Sequence, residues 1–468
     1  MTLHAWNPPH LRRRACLTLA GAALASVAVP PAVAAGARRP PAEPAEPEPL
    51  PRLALRQRRL ANGLLVCSMA DASTPTASVQ MWYRVGGKDD PAGRSGFAHL
   101  FEHMMFKSTK HMANEAFDRL TEDVGGQNNA FTAEDMTAYF SDVPSNHLER
   151  LLWAEAERLA HLRVDQTNFD SERAVVQEEL RQRVLADPYG RLYNAMPIEG
   201  FSAHPYRRPV VGSIEDLAAA TLADVQQFHR TYYRPDNAVL IVVGEFDDAQ
   251  FDAWVDRYFG PLQSPPQPIP RVTVVEPRRS QARRVQLHGP QVPLPAAALL
   301  WQGPRAAHDD AAALQVAAAL LSGGDSSRLN EALVYRARSA QAVGFSAELY
   351  ADAGMLVAYA IAASGQRLPP LEAALRAEIK RLARAPVPAP ELAKVKAQVL
   401  TAALRARQTP QGKAMAIGRA LVLHGDALEA DRMLQRLQQV RAADVQRVLT
   451  AMLATPAVSL HYTQQAGA

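Results

Sequence analysis

Two histidines and a glutamate within five residues are the strongest chemical feature of this chain. His99 and His103 are four residues apart, so a helix that carries them directs both imidazoles to one side. Glu102 precedes the second histidine, where a carboxylate can act as general base on a water whose pKa a metal has lowered. Neutral imidazoles bind zinc, and a catalytic zinc site leaves one coordination position to water. The spacing predicts metal-assisted hydrolysis if a third ligand lies elsewhere; the alternative is a helix face on which two histidines only pack.

A charged helix offers candidates for the missing ligand. Three glutamates lie between residues 170 and 181. Glu172 and Glu179 are two helical turns apart and share a face, whereas Glu178 points away from it. One carboxylate on that face can coordinate a metal while the other holds a ligating histidine in one tautomer. Without the histidine pair, the same pattern is typical of a solvent-exposed helix with loose Glu–Arg pairs.

The N-terminal segment predicts export. Arginines at 12–14 precede an apolar stretch of small residues, and residues 32–34 (Ala-Val-Ala) fit a cleavage site. We therefore expect a secretory signal peptide at 1–35, exported by the general or the twin-arginine route, and a periplasmic or secreted mature chain. Cleavage leaves Cys67 as the lone cysteine, so no internal disulfide is expected. After cleavage, no remaining stretch is apolar enough to predict a stable membrane span.

Composition indicates a globular protein of more than one domain. The chain has 468 residues, 48% hydrophobic and 21% charged. Its 51 basic and 47 acidic residues are mixed along the sequence, so no basic tract predicts nucleic-acid binding. Two proline-rich segments divide the chain. We predict a disordered tether at 36–51, an N-terminal domain at 52–263, a linker at 264–271 and a C-terminal domain at 272–468.

The two predicted domains look related. Ala-Asp-Val-Gln at 223–226 opens a predicted helix that is followed by a proline and a strand, and the same four residues at 443–446 open the same series in the second half. Alternating apolar segments near the histidine pair predict strands, and helical spacing is present at 114–122 and 145–162. We expect an α+β fold of two homologous domains, each a mostly antiparallel sheet with helices packed against it.

The segment around the histidine pair resembles a known active site. Residues 95–109 (SGFAHLFEHMMFKST) closely resemble the active-site helix of the pitrilysin/insulinase metallopeptidases, inverzincins with an H-x-x-E-H motif that include mitochondrial processing peptidase. The resemblance extends over about residues 52–463, through His204-Pro205-Tyr206 and residues 233–237. It implies a zinc-dependent endopeptidase that hydrolyses peptides or unfolded segments.

The resemblance also implies roles for single residues. Glu179 follows His103 at the family's spacing between the second histidine and the third zinc ligand. Glu172 lies two helical turns before Glu179, where the family has a second glutamate. The implied Zn²⁺ ligands are His99, His103 and Glu179, and the implied catalytic residues are Glu102 and Glu172.

A second segment resembles the family's substrate-binding strand. Residues 126–132 (GQNNAFT) match a strand whose backbone pairs with an extended peptide. By this resemblance the substrate-binding residues are Asn129, Ala130, Phe131 and Thr132. Main-chain pairing at an edge strand tolerates many peptide sequences. The alternative for Asn129 is a turn after the two glycines at 125–126.

The second half departs from the family pattern. Active members receive from it an arginine and a tyrosine, seven residues apart, which stabilise charge that develops in the transition state. Arg338 and Phe345 have this spacing, but phenylalanine has no hydroxyl. An alignment without gaps instead places Val334 at the arginine position and Gln341 at the tyrosine position. We therefore predict that a homologous subunit supplies the Arg/Tyr pair, in a heterodimer or a homodimer.

Two alternatives stay open. A tyrosine of the same chain can replace the missing one, the candidates being Tyr335, Tyr350 and Tyr359. The chain can also be a non-catalytic interaction subunit of a heteromeric complex. Related subunits of that kind have typically lost parts of the H-x-x-E-H motif, which is complete here.

Overall fold

A computed structural model describes residues 50–465. The predicted signal peptide at 1–35 and all but the last two residues of the predicted tether at 36–51 lie outside the described residues. All that follows refers to the compact unit that begins at Arg52. Within residues 50–465, no helix combines the length and apolar character that a membrane crossing requires.

The first half contains a six-stranded sheet. Its strands are β1 (Arg56–Arg59), β2 (Leu65–Ala70), β3 (Thr76–Tyr83), β4 (Gln127–Thr132), β5 (Thr137–Pro144) and β6 (Ala238–Gly244). Their order across the sheet is β1-β2-β6-β3-β5-β4, and only β2 and β6 run parallel. Gly63, with a φ of 94°, makes the turn between β1 and β2. The strand β4 lies at a free edge of this sheet.

The second half repeats this topology with one strand fewer. Its strands are β7 (Arg283–Gly289), β8 (Ala296–Gly303), β9 (Ala340–Leu349), β10 (Gly354–Ala362) and β11 (Val458–Gln464). They are ordered β7-β11-β8-β10-β9, and only β7 and β11 run parallel. The order matches β2-β6-β3-β5-β4 strand for strand. The predicted α+β fold of two homologous, mostly antiparallel halves is confirmed.

Helices cover both sheets. Those of the first half are α1 (Phe97–Met104), α2 (Ala116–Glu122), α3 (Leu148–His161), α4 (Gln166–Leu180), α5 (Gly190–Gly200), α6 (Ile214–Ala219), α7 (Leu222–Tyr232) and α8 (Asp248–Phe259). Those of the second half are α9 (Ala311–Ser322), α10 (Leu368–Arg384), α11 (Ala389–Arg405), α12 (Pro410–His424), α13 (Glu429–Gln439) and α14 (Ala442–Leu453). On the inner face of each sheet, its own helices build the main core; Leu100 of α1, for example, packs with Met81 and Leu240.

The outer faces are covered by an exchange of helices between the halves. The first-half helix α5 packs on the second sheet, where Leu192 contacts a core that includes Leu300. The second-half helix α12 packs on the first sheet, where Ile417 joins a core that contains Trp82 and Ile241. The starts of α5 and α12 are separated by the same offset as the two copies of Ala-Asp-Val-Gln, so the helices occupy corresponding places in the predicted duplication. Each half therefore depends on the other to bury an apolar sheet face.

Candidate active site

The start of α1 is held by a carboxylate from the preceding loop. Gly96, with a φ of 90°, turns the chain into the helix. Asp90 accepts hydrogen bonds from the backbone N–H of Gly96 at 2.7 Å and of Ala98 at 2.8 Å. Burial raises the pKa of Asp90 to about 7, although the two hydrogen bonds favour the ionised carboxylate and oppose this shift. The first N–H groups of a helix lack partners within it, so Asp90 fixes the end from which His99 projects.

The two histidines of α1 and one glutamate of α4 converge. The Oε2 of Glu179 lies 3.6 Å from Nε2 of His99 and 3.4 Å from Nε2 of His103. Their potential ligand atoms all lie within 4.8 Å of one another. Tetrahedral coordination with bonds of about 2.1 Å separates ligand atoms by about 3.4 Å. The spacing and the two-nitrogen, one-oxygen donor set therefore fit a zinc ion with one position open.

Charges in this cluster suit a metal ligand set. Burial lowers the pKa of His99, which keeps its imidazole neutral. Burial acts against ionisation of Glu179, but His103, His99 and Arg183 outweigh it and lower the pKa of that carboxyl. Burial also lowers the pKa of His103, whereas the carboxylates of Glu172 and Glu179 raise it to a net value of about 9. A metal at this site therefore competes with a proton on His103.

Three further side chains orient the ligands. Glu172 places Oε2 3.5 Å from Nδ1 of His103, and its Oε1 pairs with Nζ of Lys107 at 2.7 Å. Arg183 places Nη1 2.5 Å from Oε1 of Glu179, which leaves Oε2 for the histidines. Lys107 and Arg183 were not predicted from the sequence, although each lies one helical turn beyond a predicted ligand.

The predicted general base lies beside the cluster. Glu102 is mostly buried, and its Oε2 accepts a 2.5 Å hydrogen bond from the Thr132 hydroxyl of β4. Burial raises the pKa of Glu102 to about 7; Thr132 and His103 oppose the shift, and the carboxylate of Glu179 adds to it. A base with a pKa near neutrality can both take and return a proton.

The four predicted substrate-binding residues divide between the two faces of β4. Ala130 and Thr132 lie on the helix side with Glu102, whereas Asn129 and Phe131 lie on the outer side. Asn129 lies in the strand β4 and pairs with Phe140 of β5, so it is not in a turn. What the four residues share is the main chain of an edge strand, where the N–H of Ala130 donates to the side-chain oxygen of Asn129 at 2.8 Å.

The positions that have the seven-residue spacing lie in different surroundings. Phe345 is buried in the second core, and Arg338 is exposed in the turn before β9 with a φ of 50°. Arg328 and Tyr335 also stand seven residues apart, a pair that the sequence analysis passed over. Glu391 holds the guanidinium of Arg328 through two hydrogen bonds of 2.9 and 2.8 Å.

The three candidate tyrosines differ in their surroundings. Tyr335 is 51% exposed. Tyr350 is buried, and its hydroxyl bonds the side chain of Glu134 in the loop after β4. Tyr359 lies on β10, opposite Gly344. Tyr350 is thus linked to the substrate-strand hairpin by a side-chain contact, and it is already engaged there.

Comparison with known proteins identifies the family. Residues 65–213 match the family described as Insulinase (Peptidase family M16), and residues 219–399 match the Peptidase M16 inactive domain. The zinc protease PqqE of Helicobacter pylori is 35% identical over 283 residues, which span 60% of this chain and 64% of that protein. An uncharacterized zinc protease of Mycobacterium leprae is 31% identical over 66% of this chain and 69% of its own length.

A solved structure is similar over nearly the whole described chain. The crystal structure of a protease from Helicobacter pylori has a TM-score of 0.84 and 28% sequence identity, and the match covers 87% of this chain and 99% of that one. The similarity includes the half with the histidine pair and the half without it. The resemblance predicted from the H-x-x-E-H segment is confirmed, and the chain belongs to the insulinase family, peptidase family M16.

Proposed function

We propose that this protein is a zinc-dependent endopeptidase that acts on peptides or unfolded segments. The observation that carries the proposal is the convergence of His99, His103 and Glu179 beside Glu102, next to the free edge of β4. The names of its relatives, which are zinc proteases, support a peptidase function.

The proposed mechanism assigns one task to each residue. When bound, zinc supplies Lewis-acid polarisation of the substrate carbonyl and lowers the pKa of the attacking water. Glu102 takes the proton of that water and delivers it to the leaving amine, while Thr132 orients its carboxylate. Glu172 accepts from the protonated Nδ1 of His103, so that the lone pair of Nε2 faces the metal.

The form of the substrate follows from β4. A peptide that adds to an edge strand forms main-chain hydrogen bonds and must be extended. A peptide paired with β4 runs alongside the strand and past Glu102, which Thr132 of β4 contacts. Flexible peptides and unfolded segments meet this requirement, whereas a segment inside a folded domain does not.

We also propose a homologous partner subunit that supplies the Arg/Tyr pair. In support, Val334 and Gln341 stand at the aligned positions, Phe345 is buried, and Arg328 is engaged by Glu391. The second candidate function is that of a partner-dependent or non-catalytic subunit, and the same missing Arg/Tyr pair supports it. We propose a periplasmic or secreted location, which the predicted signal peptide at 1–35 supports.

Zinc content and peptide cleavage test the peptidase proposal together. We expect Glu102→Gln, assayed in the complex with the partner subunit, to retain zinc and to lose roughly 10²- to 10⁴-fold in cleavage of a quenched peptide, because general base catalysis is worth about that much. Glu178→Gln is the matched control, since Glu178 points outward to Arg181. Equal cleavage by wild type and Glu102→Gln contradicts the role of Glu102.

The partner proposal needs its own comparison. The purified chain is assayed alone and after co-purification with homologous subunits from the same source. We expect turnover only in the complex. Full turnover by the chain alone contradicts the partner, and zinc-loaded chain that is inactive in every complex contradicts the peptidase proposal.

A further inference from the structure

The edge strand β4 presents different chemistry on its two faces. On the helix side, Thr132 contacts the general base Glu102. On the outer side, Phe131 packs against Trp82 with a ring distance of 5.6 Å. Side chains alternate along any strand, including a peptide paired with β4. The peptide residue opposite Thr132 therefore faces Glu102, and its neighbour opposite Phe131 projects to the outer side.

Helix α12 covers this outer side up to its edge. Trp82, Ala138 and Phe131 form one row across β3, β5 and β4. Gly418 lies so close to Trp82 that a Cβ would overlap the indole ring. The next residue, Arg419, places its guanidinium carbon 5.4 Å from the centre of the Phe131 ring. The next position in this row, one strand spacing or about 4.8 Å beyond β4, belongs to a bound peptide.

Arg419 is a half-buried cation without a counter-charge. Among residues 50–465, no carboxylate pairs with Arg419 and no hydrogen bond holds it. Its side chain is engaged within that range by the cation–π contact with Phe131. Burial lowers its pKa, and no acidic neighbour opposes that shift. Other cations near this interface are paired, Lys413 with Asp71 and Arg407 with Asp431. A desolvated charge is costly unless an anion compensates it.

We infer that Arg419 selects peptides that carry an acidic side chain opposite Phe131, next to the residue that faces Glu102. This inference rests on the proposed function and names the substrate class. A carboxylate at that position accepts charge-assisted hydrogen bonds from the guanidinium, which the Phe131 ring holds in place. A lysine at the same position meets a like charge. Arg419 is thus a specificity-determining residue of the second half that acts at the first-half site.

Peptide binding tests this without turnover. The full chain with Glu102→Gln, loaded with zinc, is titrated against labelled, otherwise uncharged extended peptides that carry one Asp, Asn or Lys at successive positions. At one position we expect Asp to bind about tenfold more tightly than Lys. Arg419→Gln should reduce that ratio to less than about twofold, and Arg419→Lys should retain most of it. Arg384→Gln, at an exposed arginine on α10, removes a charge elsewhere and should leave the ratio unchanged.

The outcomes separate this inference from its alternatives. An unchanged Asp/Lys ratio in Arg419→Gln, with or without a lower unfolding temperature, makes Arg419 a packing residue and overturns the inference. Equal losses in Arg419→Gln and Arg384→Gln, or no charge preference at any position, overturn it as well. Selective binding by a chain that fails the Glu102-dependent cleavage test upholds the inference and contradicts the peptidase mechanism.

Discussion

The two halves of the chain share a topology, but their corresponding helices have opposite surroundings. Helix α1 follows β3 as α9 follows β8. In α1, the polar face with His99, Glu102 and His103 is turned toward α4 and β4. In α9, nine of twelve residues are buried and the sequence is almost entirely alanine, leucine and valine. The same scaffold thus carries polar chemistry in one copy and apolar packing in the other.

The helices α4 and α11, which follow α3 and α10, extend this comparison. In the first half, α4 directs Glu179 at two histidines of α1. In the second half, α11 directs Glu391 at Arg328, a fixed cation. Glu179, near the end of α4, therefore faces an open ligand set, whereas Glu391, in the first turn of α11, belongs to a closed ion pair. The two halves thus carry different side chains on one shared topology.

The largest expected effect separates these two carboxylates. Glu179→Gln should abolish stoichiometric zinc binding and leave the fold intact, because it removes the anionic ligand from a partly exposed site. Glu391→Gln should keep zinc and lower the free energy of unfolding by about 1–3 kcal/mol, because Arg328 loses its partner. Metal analysis and denaturant unfolding measure both, with Glu178→Gln as control. Zinc loss in Glu391→Gln would break the comparison.

A weaker effect is expected for Glu172 and Lys107, which support the predicted ligand His103. Glu172→Gln should lower zinc affinity by roughly 10- to 100-fold, because the carboxylate that orients His103 is weakened. Competition with a chromogenic chelator measures this affinity. Lys107→Met, which removes the partner on the other oxygen of Glu172, should have a smaller effect in the same direction. Unchanged affinity in both variants would exclude Glu172 from orienting the ligand.

Asp90, at the start of α1, should make the free energy of unfolding depend on pH. The pKa of Asp90 in the folded chain is about 7, above its ordinary 3.8, so the protonated form stabilises the fold. That contribution is complete below about pH 4 and is lost as pH rises through 7. At about 1.4 kcal/mol per pKa unit, it amounts to at most about 4 kcal/mol. Asp90→Asn should flatten the pH dependence of the unfolding free energy, whereas Asp310→Asn, at the start of α9, should not.

The smallest expected effect is the difference in stability between variants at the exchanged helices α5 and α12. Gly418→Ala should destabilise the protein by about 1–3 kcal/mol, because the new methyl overlaps the rigid Trp82 ring. Gly200→Ala, at the end of α5, meets the sulfur of Met355, a flexible side chain, and should cost less. Thermal unfolding of both variants measures the difference. Equal destabilisation would show that the two interfaces are packed alike.

Much of the fold was predictable because its signals are local. Local sequence patterns predicted strands near β2, β3, β6 and β11 and the helices α1, α2, α3, α4, α7 and α14. The recurring Ala-Asp-Val-Gln segment predicted the repeated topology. The ligand set depended on relating Glu179 to His103 over a long stretch of sequence, which the family resemblance supplied and helical spacing alone could not. The structure places these atoms together, and their zinc ligation stays a prediction.

The contacts that were not predictable join parts of the chain distant in sequence. The apolar stripe of α12 shows that the helix packs, but not that it packs on the first sheet. Asp90 acts on the N–H groups of Gly96 and Ala98 through a loop whose path no local pattern defines. Arg419 and Phe131 meet only because that helix and that strand are docked. Each of these depends on tertiary arrangement rather than on periodicity.

The helix exchange has a consequence for biosynthesis. The last strand of the first sheet ends at Gly244, but α12, which covers the outer face of that sheet, ends only at His424. At about 5–20 residues per second, a growing chain exposes this apolar face for about 10–40 s before its cover has been made. During that interval the nascent first half resembles a folding intermediate prone to aggregation. We expect that residues 52–263 made alone are insoluble, and that synthesis in the cell depends on a chaperone that shields the face around Trp82.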